Sequence, residues 1–193
     1  MRGIPRGVLR GTLLIVLAIV LAIVAGCAHA DALRDGVLRK GSLRVGIGPV
    51  PVQWRRVSVD GADLAFRDDA RGGSALFVVH CGDRRDDAPL SILTENLIMG
   101  TTDRDFESEK VVPFDGREAM HTAVRAKLDG VPMQYDIYVM KKDACVYDVV
   151  YVAPPARYAE GSADFERFVD GLHTIPEYPP AEQRAEERSS RDP

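Results

Sequence analysis

The chain has 193 residues, with 25 lysines and arginines against 29 aspartates and glutamates, and 46% of it is hydrophobic. That length fits one domain with tails, and the hydrophobic share excludes a wholly disordered chain. A net charge of −4 excludes a general nucleic-acid binder, and three cysteines are too few for a disulfide-scaffold mini-protein.

The segment Met1–Gly11 carries Arg2, Arg6 and Arg10 and no acid; Leu13–Ala25 is uninterrupted apolar; Gly26 and Cys27 follow. A basic start, a short apolar run and a small-residue exit form the pattern of a secretory signal peptide, too short for a comfortable membrane span. The exit, Val24-Ala25-Gly26-Cys27, resembles the lipobox of bacterial lipoprotein precursors. That resemblance implies cleavage after Gly26, diacylglycerol on the Cys27 sulfur and a further acyl chain, such as palmitate, on the new amino terminus. The cysteine is required because its thiolate is the nucleophile that takes the lipid. Several acyl chains, at about 0.8 kcal/mol per buried methylene, make such an anchor effectively permanent. An uncleaved membrane helix is the other reading, since residues 11–28 carry no charge. It leaves the cysteine and its small neighbours as coincidence. Some Gram-negative lipoproteins carry an inner-membrane retention Asp directly after the cysteine. Here the residue is Ala28, which by that rule implies the outer membrane, facing the periplasm. Loss of residues 1–26 removes three arginines and no acid, so the mature chain falls from 193 to 167 residues and from −4 to −7 in charge.

Residues 27–41 read as a lipidated tether, with a helical turn available to Leu33, Val37 and Leu38 that Gly36 weakens. Residues 42–176 carry the domain. Asp-Gly pairs at 60–61, 115–116 and 129–130 sit between extended runs, the preferred sequence of tight hairpin turns. Strands are predicted over 54–59 and 62–67, and over 75–79, whose continuous apolar run suits cover on both faces. Residues 117–128 alternate, with Met120, Thr122, Val124, Ala126 and Leu128 on one side and His121, Arg125 and Lys127 on the other. Met133, Tyr135, Ile137 and Val139 alternate next, and Lys141–Asp143 turns the chain into a strand over 144–152. One helix opens at Pro89 with Leu90, Leu93 and Leu97 on a face and Gly100 at its end. A second is predicted to start at Ser162 as N-cap, with Phe165, Phe168, Val169 and Leu172 as its buried stripe. Residues 177–193, rich in proline and charge, read as a disordered tail.

Hairpin-linked strands with two helices imply an α+β fold, an antiparallel sheet flanked by helices. The order of ALFVVHC, GREAM, LDG, CVYDVVYV and FERFV resembles the Mog1/PsbP-like α/β/α sandwich over most of residues 50–175. Members of that fold are mostly non-enzymatic accessory or assembly proteins, which the resemblance implies here as an expectation.

With Cys27 lipidated, Cys81 and Cys145 remain, and in an exported protein the pair invites a structural disulfide. Two separate buried thiols and a redox-active pair are the other readings, although no Cys-x-x-Cys motif is present. His80 and Cys81 are neighbours on a strand and point to opposite faces, so they cannot share a site without a bulge. His121 lies on the polar side of its strand, where a solvated histidine is the ordinary outcome, and no metal site is expected from His29, His80, His121 and His173. Ser91 and Ser162 stand in helix-start contexts, and Asp83, Asp86 and Asp87 read as a solvated loop. No nucleophile elbow and no phosphate-binding glycine motif occurs, so no catalytic residue and no cofactor are expected. Tyr135, Tyr138, Tyr147 and Tyr151 either line a partner groove or pack across strands. The functional expectation is a lipid-anchored, non-catalytic accessory module that docks to an envelope protein and binds no nucleic acid. The runner-up is a periplasmic protein that binds a small molecule or lipid between sheet and helix. A hydrolase or redox protein using His80, Cys81 or Cys145 comes third.

Overall fold

The computed structural model describes residues 33–82 and 88–176. Cys27, the signal segment, the 83–87 loop and the 177–193 tail lie outside the described residues. Among the described residues, eleven strands and two helices follow in chain order. The strands are β1 (Leu33–Arg34), β2 (Val37–Lys40), β3 (Leu43–Gly46), β4 (Trp54–Val57), β5 (Leu64–Asp68) and β6 (Gly73–Cys81). Helix α1 (Leu90–Leu97) precedes β7 (Thr101–Phe114), β8 (Arg117–Leu128), β9 (Val131–Lys142) and β10 (Cys145–Ala153). Helix α2 (Pro155–Asp170) leads to β11 (His173–Thr174).

Turn chemistry sets this order. Asp115-Gly116 and Asp129-Gly130 both hold positive φ at each residue (46° and 73°, 50° and 79°), the geometry of two-residue hairpins whose twist matches the strands. They join β7 to β8 and β8 to β9. Asp143 and Ala144 adopt the same left-handed geometry (52° and 56°) without a glycine. An alanine there costs roughly 1–2 kcal/mol, which the long β9–β10 ladder offsets.

A seven-stranded antiparallel sheet results, in the order β4-β5-β6-β10-β9-β8-β7. A small four-stranded sheet, β1-β2-β3-β11, packs beside it through Leu38 and Val45, both in the main core. Along β10 the side chains alternate between two cores. Tyr147, Val149 and Tyr151 join Trp54, Phe77, Phe165 and Phe168 under α2. Val146, Val150 and Val152 join Leu93, Ile98 and Ile137 under α1. The expected α+β architecture, helices on both faces of an antiparallel sheet, is the one observed.

Three elements differ from the sequence reading. Residues 33–40 are a hairpin rather than tether, because Asp35-Gly36 (φ 50° and 73°) is a fourth Asp-Gly turn and Leu38 is fully buried. The first strand of the described residues therefore begins at Leu33, six positions after Cys27. Helix α2 starts at Pro155, a favoured first-turn proline, and not at Ser162. Ser162 lies mid-helix, its hydroxyl donating to the Ala159 carbonyl at 3.4 Å. Gly161-Ser162 reads as a break in sequence, yet Gly161 is there for space: a methyl group on it would stand 1.9 Å from the Tyr151 hydroxyl. Strand β7 has no counterpart in the sequence pattern. It is an edge strand, exposed along most of its length and bulged between Thr102 and Asp105 and between Phe106 and Ser108, so it carries no apolar alternation.

Candidate functional site

Two constellations gather polar side chains. The first lies where β2–β3, β6, β9–β10 and β11 end together. Cys81 and Cys145 are direct partners in the β6–β10 register, with Cα atoms 4.0 Å apart and sulfurs at bonding distance. Antiparallel pairing alone puts the two cysteines in contact. Beside them opens a cleft of about 770 Å³ lined in part by Lys40, Arg44, Lys142 and Ala144. The Lys40 ammonium is held by Asp63 at 2.8 Å and by the Val79 carbonyl at 2.6 Å. Lys142 donates to the Asp115 carboxylate at 2.7 Å and to its carbonyl at 2.8 Å.

Asp115 ties three elements. Its carboxylate also accepts from the Thr174 backbone N–H at 2.8 Å and from the Thr174 hydroxyl at 2.9 Å. Burial pushes this carboxyl up, but the bonds from Lys142 and Thr174 outweigh it and hold the pKa below the ordinary aspartate value. A depressed folded-state pKa gives stability that is present above the unfolded value near 4 and lost as pH falls through the folded value. In Asp115→Asn that contribution is absent at every pH. Urea titrations from neutral to acid pH are therefore expected to show the wild-type advantage over Asp115→Asn shrinking below about pH 4. A gap that stays constant would mean Asp115 titrates alike in both states.

The second constellation lies on the α2 side of the outer strands. Asp136 on β9 is 2% exposed. One of its oxygens meets His121 Nε2 at 2.6 Å and the other accepts the Tyr158 hydroxyl of α2 at 3.0 Å. The His121 ring stacks on Tyr138 at 4.1 Å. Burial, and then the Asp136 charge, push the Tyr158 and Tyr138 phenols well above the ordinary tyrosine value, so both stay protonated donors. His121 is thus a paired side chain, only 21% exposed, and not the solvated histidine expected. The polar side of β8 is the face bordered by α2, and pairing of Ala123 with Asp136 brings the acid within reach. A carboxylate-held imidazole can move protons, but among the described residues no serine, threonine or cysteine bonds to His121. The cluster bridges sheet and helix without a nucleophile.

The other expected positions separate. His80 pairs with Val146 on the α1 side and lines a small recess with Leu93 and Asp148, whereas Cys81 faces Cys145. His173 lies exposed over Gly46, its Nδ1 2.9 Å from the Gly171 carbonyl. Among the described residues no group of three histidine, cysteine or acidic side chains is placed to hold a metal ion. Tyr147 and Tyr151 are core residues: Tyr151 stacks between Trp54 (6.0 Å) and Phe165 (5.6 Å), and Tyr147 stacks on Phe77. Burial pushes both phenols up to about 12. Tyr135 faces the α1 core, so the four tyrosines form no common groove. The space between sheet and small sheet, bounded by Phe77, Met140 and Tyr147, is about 10 Å³. Among the described residues no helix is long and apolar enough to cross a membrane.

No protein-family model matches the sequence, and a search of curated proteins finds no match. Solved structures do resemble it. Cyanobacterial PsbP (CyanoP) from Synechocystis sp. PCC 6803 matches at 12% identity and a TM-score of 0.52, covering 78% of this chain and 98% of that one. LpqN of Mycobacterium tuberculosis, involved in cell envelope biogenesis, matches at 11% identity and a TM-score of 0.51, covering 68% and 84%. A Bacteroides thetaiotaomicron VPI-5482 protein matches at 14% identity and a TM-score of 0.49, and this chain spans 47% of its length. At such identities the likeness is one of fold, and the fold is PsbP-like α+β.

Proposed function

We propose that this chain is a lipoprotein of the cell envelope, anchored through Cys27 and working as a non-catalytic accessory module docked to an envelope protein. The outer membrane, facing the periplasm, is the location that Ala28 favours. The observation that carries the reading is Val24-Ala25-Gly26-Cys27 standing within six residues of the first strand, so that lipidation would hold the folded domain close to the bilayer. Three further points support it. LpqN, a protein of the same fold, is involved in cell envelope biogenesis. Among the described residues, no serine, threonine or cysteine bonds to the His121–Asp136 pair. The recess between the sheet and α1, beside His80 and Leu93, is about 150 Å³, below the roughly 300 Å³ of small-molecule sites, which weighs against the runner-up.

Cross-linking in intact cells, followed by detergent extraction and capture of the tagged chain, is expected to recover the same envelope protein reproducibly from wild type and not from Cys27→Ala. Complementation by a soluble Cys27→Ala chain at the wild-type level, with no cross-linked partner, would refute the proposal. Recovery of a lipid or small molecule with no protein would move the binding-protein reading ahead.

A further inference from the structure

The two faces of the large sheet are covered unequally. Helix α2 and the small sheet bury one face, and no strand shows an exposed large apolar side chain there. On the other face α1, eight residues long, lies mainly over β8 and β9. Beside it, on β6 and β10, Leu76, Val78, Val150 and Val152 stay half-buried, and Leu76 and Val78 join neither core. Val150 stands opposite Leu76, so these side chains share the α1 face. Two strands at about 4.8 Å spacing make a strip about 10 Å wide, the width of one more helix.

Helix α1 and its end carry two apolar stripes. Leu90, Leu93 and Ile98 pack on their own sheet. Ile92, 45% exposed, and Met99, 68% exposed, are seven positions apart and form a second stripe turned away from that sheet. A helix apolar on opposite sides fits between two layers better than at a surface. The 177–193 segment lacks the chemistry to supply the missing layer, since no large apolar residue follows Tyr178.

We propose that the missing layer is a second copy of this chain, with the Ile92–Met99 stripe of each copy seated on the Leu76–Val152 strip of the other. The surface fits itself because stripe and strip lie side by side on one face. Their exchange is reciprocal about a two-fold axis that runs along the strands, which swaps the two while keeping position along the sheet. The positions agree: α1 sets Leu93 and Leu97 beside His80 and Val146, so Ile92 of one copy comes level with Val78 of the other. Helix and strip together offer roughly 600 Å² from each copy, the lower end of the range for stable interfaces. The same axis leaves both chain entries at one end of the dimer. Each chain enters β1 from the side where β2 leaves at Lys40, whose ammonium bonds the Val79 carbonyl near the disulfide. Two copies could thus hang from one bilayer, although the contact itself does not depend on the anchor.

Sedimentation equilibrium tests it on the chain from residue 27, with Cys27→Ala so that neither lipid nor a free thiol contributes. At about 100 μM the protein is expected at twice the chain mass. The double variant Ile92→Glu/Met99→Glu changes positions that are exposed in the single chain. It should keep its circular dichroism and lose roughly tenfold in association for each charge introduced. Val52→Glu, the same charge change on an exposed loop, should leave the dimer intact. Ile92→Glu and Val78→Lys should each associate weakly alone, and an equal mixture should recover a dimer, because only the mixed pair sets opposite charges together. A chain that stays monomeric at about 100 μM overturns the proposal. So does a dimer unaffected by Ile92→Glu/Met99→Glu, which assigns association to another surface. A mixture of folded Ile92→Glu and Val78→Lys chains that stays monomeric overturns the reciprocal packing.

Discussion

Alanine at Arg71 is expected to destabilise the domain by about 3–5 kcal/mol, because it strips the partner from a buried carboxylate. Asp68 at the end of β5 is 1% exposed, and its carboxylate is held by Arg71 at 2.8 Å. The same guanidinium, 19% exposed, reaches Asp164 of α2 at 3.2 Å and Glu160 at 4.0 Å. Its pKa is raised, chiefly through the hydrogen bond to Asp68. Arg71 thus clamps the β5–β6 turn onto the helix that covers the main core. Its removal leaves Asp68 buried and charged, with Asp164 close by and no cation between them. Urea unfolding should show the loss, and the thermal midpoint should fall by roughly 10 °C. Asp68→Asn in the Arg71→Ala background should recover part of it by discharging the buried site. A loss below about 1 kcal/mol would place the pair among ordinary surface salt bridges.

Breaking the Cys81–Cys145 link should cost about the same. Across a separation of 64 residues, chain entropy assigns a disulfide about 4 kcal/mol, acting mainly on the unfolded chain. The two cysteines are paired in register within a ladder that runs from Cys145–Cys81 to Val152–Ser74, so the native strands stay aligned without the bond. Cys81→Ser/Cys145→Ser is therefore expected to fold, with a lower urea midpoint and a somewhat steeper slope, because the unfolded chain without the cross-link exposes more surface. Wild type in reductant should move to the same midpoint once reduction is complete. If reductant leaves the midpoint unmoved, either the sulfurs stay protected or the bond contributes little.

Much of this fold is written locally. The Asp-Gly pairs at 115–116 and 129–130 mark tight hairpin turns directly, whereas 60–61 lies in the longer connection from β4 to β5. The bounds of the alternation from Arg117 to Leu128 are those of β8, although Leu128 itself is exposed. Elements that depend on distant neighbours are harder to read. Gly161 looks like a helix break until Tyr151, on another element, is seen to occupy the space its side chain would take. Strand β7 pairs only with β8 and is largely solvated, so its sequence has no buried face to declare. The small sheet depends on Leu38 and Val45 finding the main core, which a short polar stretch beside a signal segment does not advertise. The Cys81–Cys145 partnership could be suspected from compartment and count, but only the β6–β10 register puts the two together. The Asp136 cluster was hidden for a similar reason: Asp136, His121 and Tyr158 sit on three elements, and an isolated polar residue in each gives no sign of the other two.

The proposed role depends on the anchor at Cys27. Intact mass measurement of the chain extracted from membranes, with sequencing of its first residues, tests that most directly. The expected product begins at Cys27 and carries the mass of a diacylglyceryl group plus an amide-linked acyl chain. A chain that begins at Met1, or one that begins beyond Cys27 without lipid and partitions into the aqueous phase, would contradict it.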